Sequence, residues 1–111
     1  MPESLLDTLR AARVVPVVRT KETRHAATVV QWLRDAGLRI FEITLTIPNA
    51  HSLIRELAGD PSLLVGAGTV PDAATAEICL NAGARFIVHR GSTRRWPHLA
   101  APLVRRWCSA R

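Results

Sequence analysis

At 111 residues the chain is one domain or part of a larger one. Its 48% hydrophobic content is enough for a core, yet no run of 18 apolar residues is present, and residues 1–7 lack the basic-then-apolar pattern of a leader, so neither a membrane span nor a signal peptide is expected. The net charge of +6 is unevenly placed: residues 1–84 hold eight basic and all nine acidic side chains, whereas residues 85–111 hold seven Arg and no acid. Cys79 and Cys108 have neither metal nor redox spacing, which points to reduced thiols and a cytoplasmic protein.

In chain order, residues 4–12 read as a short helix with Ser4 as N-cap. Val14-Val15-Pro16-Val17-Val18 is a β-branched run and reads as a buried strand. Over 22–36, Ala26, Val29, Val30, Leu33 and Ala36 recur at helical spacing, with Gly37 as the stop. Residues 39–45 form the second strand. Pro48-Asn49 opens a helix over 50–58 that Gly59-Asp60-Pro61 ends. Leu63 to Gly66 is a third short strand running into Ala67-Gly68-Thr69-Val70. Pro71-Asp72 starts a helix to about Asn81, stopped by Gly83, and Arg85 to Val88 is a fourth strand. This alternation, with strands apolar throughout, predicts an α/β fold on a parallel sheet covered on both sides. Four such units make half of a (β/α)8 barrel, which needs about 200–250 residues in full. A flavodoxin-like open sheet is the other arrangement at this length.

The stretch Ile40-Phe41-Glu42-Ile43-Thr44-Leu45-Thr46 carries the strongest chemical signal. Period-two alternation puts Glu42 and Thr44 on one face and Ile43 and Leu45 on the other. A glutamate in such a run is costly to bury unless paired. It is either a structural carboxylate held by an Arg or a group with chemistry to perform. Arg19 ends the first strand, Thr46 lies just past the second, and Gly68-Thr69 lies just past the third. Strand C-terminal ends line the active site in parallel α/β folds. An Arg there can fork onto an anion, and hydroxyls and loop amides can hold its oxygens. Loop residues that merely cap the next helices would look similar. Gly66-Ala67-Gly68 meets neither nucleotide fingerprint. The four histidines have no ligand spacing, so no metal is expected. Lys21, the one lysine, reads as a solvated residue ahead of a helix.

The runs Val14-Val15-Pro16-Val17-Val18-Arg19, Ala36 to Pro48, Val65-Gly66-Ala67-Gly68-Thr69-Val70 and Ala82 to Val88 occur in an order and at distances that resemble the KDPG/KHG aldolase family (2-keto-3-deoxy-6-phosphogluconate and 4-hydroxy-2-oxoglutarate aldolases). The resemblance covers about residues 5–88. It implies a (β/α)8 barrel, a homotrimer, and a class I aldolase without metal or cofactor. Such an enzyme cleaves a 2-keto-4-hydroxy acid to pyruvate and an aldehyde through a lysine Schiff base. By the same resemblance Glu42 is the general acid/base. Arg19 lies near the substrate's anionic end, Thr69 lies at the substrate near the pyruvate carboxylate, and Gly68 is a further substrate-binding residue. Thr46 stands where some members carry a carboxylate-binding arginine and others a threonine. The family's Schiff-base lysine falls on a sixth strand, beyond residue 111. The chain as written is therefore expected to be inactive alone.

Residues 89–111 read differently from 1–88. They show neither helix nor strand period and hold Trp96, Trp107 and an excess of Arg, which marks them as an irregular basic tail. One reading makes that tail, on a non-catalytic half barrel, a contact for nucleic acid or an acidic partner, although it carries no recognised nucleic-acid motif. The other starts from the family's usual continuation, F-I-V-S-P-G-L. Back-translating His89 to Ala100 with GC-rich codons and reading from the third base yields "PGLDPALAA", so the tail has the properties of out-of-frame sequence. Sequencing the gene across codons 86–92 checks this. A single base is expected to separate the present frame from one that encodes the family continuation and a lysine-bearing strand downstream. An intact frame with nothing barrel-like beyond it would contradict the reading.

Overall fold

The computed structural model describes Ala11, residues 14–89 and the backbone of Leu103–Arg105. Its elements are β1 (Val17–Val18), α1 (Thr23–Asp35), β2 (Ile40–Thr44), α2 (Ala50–Ala58), β3 (Leu64–Val70), α3 (Ala73–Ala82), β4 (Phe86–His89) and β5 (Leu103–Arg105). The strands form one sheet in the order β1-β2-β3-β4-β5, and every pair is parallel. That order decides between the two architectures open to the sequence. A doubly wound sheet steps back past its first strand at a switch point. Here the described strands advance one at a time, and right-handed crossovers then place α1, α2 and α3 on the same side. The arrangement is that of consecutive units of a (β/α)8 barrel, about half of one.

Alternation divides the sheet into two faces. Val18 aligns with Ile43, Ile43 with Ala67, Ala67 with Ile87, and Phe41 with Val65. These side chains share one buried cluster with Ala26 and Val30 of α1, Leu53, Ile54 and Leu57 of α2, and Ala76, Cys79 and Ala82 of α3. Phe41, Ile43, Ile54 and Ile87 are fully buried, each contributing about 1.5–3 kcal/mol relative to an exposed side chain. The opposite face carries Glu42 and Thr44 of β2, aligned with Gly66 and Gly68 of β3, and then Phe86, aligned with Gly66. In a closed barrel this is the inward face. The ring of Phe86 lies over Gly66 so closely that a Cβ at Gly66 would overlap it.

Short polar contacts set the element ends. Asp72 caps α3 by accepting the Thr75 N–H at 2.7 Å, and the hydrogen bonds from Thr75 hold the Asp72 carboxyl below its ordinary range. In the turn after α2, Asp60 accepts from the Ser62 amide and hydroxyl and, at 2.6 Å, from Arg34 of α1. The Ser62 bonds, ahead of the Arg34 charge, lower its pKa. Gly37 and Gly83 follow α1 and α3 with φ of +94° and +114°.

Several sequence expectations differ from the structure or fall outside it. The first strand is two residues long, and Val14, 61% exposed, lies ahead of it. Just upstream of β1 the Pro16 carbonyl still accepts from the Glu42 N–H at 2.9 Å, but proline has no N–H of its own to extend the ladder. The third strand runs on to Val70, so Gly68 and Thr69 lie within it rather than past it. Glycines normally mark turns, but these are tolerated in the sheet because other side chains occupy the space where their Cβ atoms would be. His89 belongs to β4 and is buried, not part of the tail. The tail itself is not wholly irregular: Leu103–Arg105 pairs with Ile87–His89 and satisfies the free edge of β4. Of the helix expected over 4–12, Ala11 is helical and the rest lies outside the described residues, as does Cys108.

The two post-helical glycines give a stability test. A Cβ at Gly37 meets nothing within 4 Å, whereas one at Gly83 would overlap the Ala58 side chain of α2. Gly37→Ala is expected to cost about 1 kcal/mol for its positive φ. Gly83→Ala is expected to cost distinctly more, since the same strain is joined by an interhelical clash. Urea denaturation of the two variants checks the order.

Candidate active site

β2 presents Glu42 on the inward face, between Val17 of β1 and Gly66 of β3 in the ladder. The side chain is only 5% exposed. It leans toward the C-terminal end of the sheet, where a Cβ on Gly68 would collide with its Oε1. The Gly66-Ala67-Gly68 segment therefore forms a trough. The Phe86 ring fills its first half and the Glu42 carboxylate its second. Neither glycine serves a nucleotide loop.

One step further along β2, Thr44 is fully buried. Its hydroxyl donates to the Val18 carbonyl at 3.2 Å and lies 2.8 Å from the hydroxyl of Thr46. Thr46 is exposed just beyond the strand. Thr44 thus links the end of β1 to the rim residue after β2. The sequence placed Thr44 on the face of Glu42 without assigning it to the site.

A bulge shapes the end of β3. Ala67 pairs with Ile87 and Val70 with His89, so three steps on β3 match two on β4. Bulges bend a strand and re-aim a side chain, often beside active sites. The re-aimed residue is Thr69, at φ +58°, where a β-branched side chain is strained. Thr69 is exposed, and its hydroxyl accepts a hydrogen bond from the Arg19 guanidinium at 3.2 Å. Arg19 follows β1 directly, so the bond spans β2 from outside.

The structure thus brings Arg19 to Thr69, Glu42 to Gly68, and Thr46 to Thr44 at the C-terminal ends of β1, β2 and β3. A carboxylate, a guanidinium and hydroxyl groups are gathered at one rim. Lys21 is exposed between β1 and α1. Alternation from Phe86 puts His89 on the helix side with Ile87, away from Glu42. Among the described residues no group of three or more His, Cys, Asp and Glu side chains gathers. No described helix is long and apolar enough to cross a membrane. A separate cavity of about 240 Å³ opens between α2 and α3, lined in part by Ile47, His51, Ile78 and Cys79. None of the rim residues borders it. Burial pushes the Cys79 thiol up to about 11, so it is neutral and inert at ordinary pH.

Residues 5–103 match the family described as "Aldolase: KDPG and KHG aldolase". This chain belongs to the KDPG and KHG aldolase family. It is 38% identical over 90 residues to 2-dehydro-3-deoxy-phosphogluconate aldolase of Pseudomonas aeruginosa, covering 79% of this chain and 41% of that protein. It is 37% identical over 92 residues to KHG/KDPG aldolase of Escherichia coli K12, covering 82% and 42%. Among solved structures it is similar to KDPG aldolase of Legionella pneumophila, crystallised with pyruvate captured as a covalent carbinolamine. That match has a TM-score of 0.72 at 31% identity and covers 82% of this chain and 47% of the other. The chain therefore spans between two-fifths and half the length of the aldolases it matches. The family match also runs to residue 103, past the residue 88 at which the motifs end.

The Glu42–Gly68 contact is testable on its own. Gly68→Ala is expected to destabilise the fold by about 1–3 kcal/mol, because the new Cβ and the carboxylate claim the same space. In a Glu42→Ala background the same substitution should cost much less. A double-mutant cycle by urea denaturation reads the coupling, and additive effects would show that the two residues do not touch.

Proposed function

We propose that this chain supplies half of the active site of a class I aldolase. Its substrate would be a 2-keto-4-hydroxy acid, either 2-keto-3-deoxy-6-phosphogluconate or 4-hydroxy-2-oxoglutarate, cleaved to pyruvate and an aldehyde. The observation that carries the reading is the buried Glu42 carboxylate on the inward face, given room by Gly68 and standing at the same rim as the Arg19–Thr69 pair. Membership of the family supports it, as does the Legionella relative with pyruvate bound covalently as a carbinolamine.

In this reading a lysine amine adds to the keto carbon, and loss of water leaves an iminium. The C3–C4 bond then breaks, its electron pair moving toward the iminium nitrogen. The 4-hydroxyl loses its proton as the aldehyde forms, and the resulting enamine is protonated at C3 and hydrolysed to pyruvate. Glu42 takes and returns the protons at the carbinolamine and at the 4-hydroxyl. Arg19, Thr69 and the Gly68 backbone hold the anionic end, and Thr46 lies beside the bound acid. The single lysine of the 111 residues, Lys21, is exposed outside this group. The amine is accordingly assigned to a segment other than this one, and the chain alone is read as inactive.

Two measurements test the proposal. Borohydride with pyruvate should trap no adduct on the isolated chain, and an adduct at Lys21 would overturn the assignment of the amine. Fusion to the complementary C-terminal part of the Escherichia coli aldolase should restore pyruvate release. Glu42→Gln in that fusion should lower kcat by about 10²–10⁴-fold. A fusion that folds by circular dichroism but releases no pyruvate, or that tolerates Glu42→Gln, would remove the aldolase reading.

A further inference from the structure

One hydrogen bond ties together two rim loops that lie 25 residues apart in the chain. Thr23, half-buried, is the first residue of α1, and its hydroxyl lies 2.5 Å from the Pro48 carbonyl. A carbonyl can only accept, so Thr23 is the donor. A hydroxyl at a helix start ordinarily stands one position earlier and caps the amides of its own first turn. That position is Glu22, which makes no side-chain cap bond, and Thr23 reaches to the neighbouring loop instead. Arg19 precedes Thr23 by four residues, and Thr46 precedes Pro48 by two. The loop that carries Thr46 is therefore held from both flanks. On the β3 side the Leu45 N–H donates to the Gly68 carbonyl at 3.0 Å, and on the α1 side Pro48 accepts from Thr23. Between these points Ile47 is buried, and Asn49 then turns the chain into α2 at φ +56°. Thr28, further along α1, shows the ordinary use of such a hydroxyl: it bonds the Arg24 carbonyl of its own helix at 3.1 Å.

We infer that Thr23 is a positioning residue of the rim: through the Pro48 carbonyl it fixes where Thr46 stands relative to Arg19. The inference rests on the aldolase-site reading above and adds to it a residue that lies on a helix rather than at a strand end. Without the bond, the loop after β2 keeps its anchor on β3 but loses its hold on α1. The separation of Thr46 from Arg19 is then free to vary. A small acid that meets both must order the loop as it binds, and that ordering is subtracted from its affinity.

The experiment titrates the 111-residue chain with pyruvate and follows the backbone amide signals by NMR. Thr23→Val keeps the shape of the side chain and removes the hydroxyl. It is expected to weaken pyruvate binding about three- to tenfold, the size of one hydrogen bond. Thr23→Ser keeps the donor and should bind as the unsubstituted chain does. Thr28→Val, which removes a hydroxyl of the same helix that holds no loop, should also leave binding unchanged. In a Thr46→Val background Thr23→Val should cost much less than it does alone, because its effect runs through Thr46. A Thr23→Val chain that unfolds at lower urea but binds pyruvate as before would make the bond merely structural and overturn the inference. Fully additive losses from Thr23→Val and Thr46→Val would overturn it as well. No pyruvate binding by the unsubstituted chain would overturn the aldolase-site reading and this inference with it.

Discussion

A carboxylate set inside a parallel sheet needs room, and in this fold the room comes from the neighbouring strand. Glu42 can point inward and stay buried because β3 offers Gly68 where its Oε1 arrives. The contact holds in one register only. Thr44 aligns with Gly68 and Glu42 with Gly66, and a slip of one residue would turn Glu42 toward the helices while sending Phe41 and Ile43 to the inward face. There an unpaired carboxylate would cost several kcal/mol. The same register puts the Phe86 ring over Gly66, so the two glycines of one strand receive one side chain from each neighbouring strand. Packing and the placement of the site are therefore the same constraint along β2, β3 and β4.

Much of this was legible in the residues. Alternation over 40–46 was enough to place Glu42 and Thr44 together, and the helix spacings over 22–36 and 50–58 came out within a residue or two. The rim positions of Arg19 and Thr46 followed from where the apolar runs stop. The extent of β3 was not legible, since glycines read as loop unless it is known which side chains fill their space. Nor was the bulge. It depends on a count of residues across two strands, and neither strand shows it alone. His89 was misplaced because the change in composition after Val88 looked like the end of the strand, whereas β4 needs one more residue to pair with Val70 beyond the bulge. The contacts of Thr44 and Thr69 lay further still from the sequence, because their partners, the Val18 carbonyl and the Arg19 guanidinium, come from the end of β1 and the residue after it.

The two faces of the sheet carry different loads. The helix side gathers aliphatic side chains from α1, α2 and α3 and most of the apolar burial among the described residues. Its removal from water is the dominant favourable term in folding. The inward side spends stability instead: it buries Glu42 and holds Thr69 at a φ that costs of order 1–3 kcal/mol. Strain of that size persists only where the surroundings over-determine it. Here the pairing of Val70 with His89 on one side of the bulge and of Ala67 with Ile87 on the other fixes both ends of the segment. Thr69 is then held out of the alternation, toward Arg19.

This division explains why a segment about half the length of its relatives still carries a coherent set of side chains. In a barrel whose strands advance one at a time, neighbouring strands supply neighbouring parts of the site. β1, β2 and β3 are consecutive, and Arg19, Glu42, Thr44, Thr46, Gly68 and Thr69 all come from them. Among the described residues, Arg19 meets Thr69, Glu42 meets Gly68, and Thr44 meets both Val18 and Thr46 across these strands and the residues that follow them. On the proposed reading, the groups that would hold an acid are organised locally, whereas the amine would have to be delivered from another segment. Binding and bond cleavage would then be separable in the chain even though they meet at one rim.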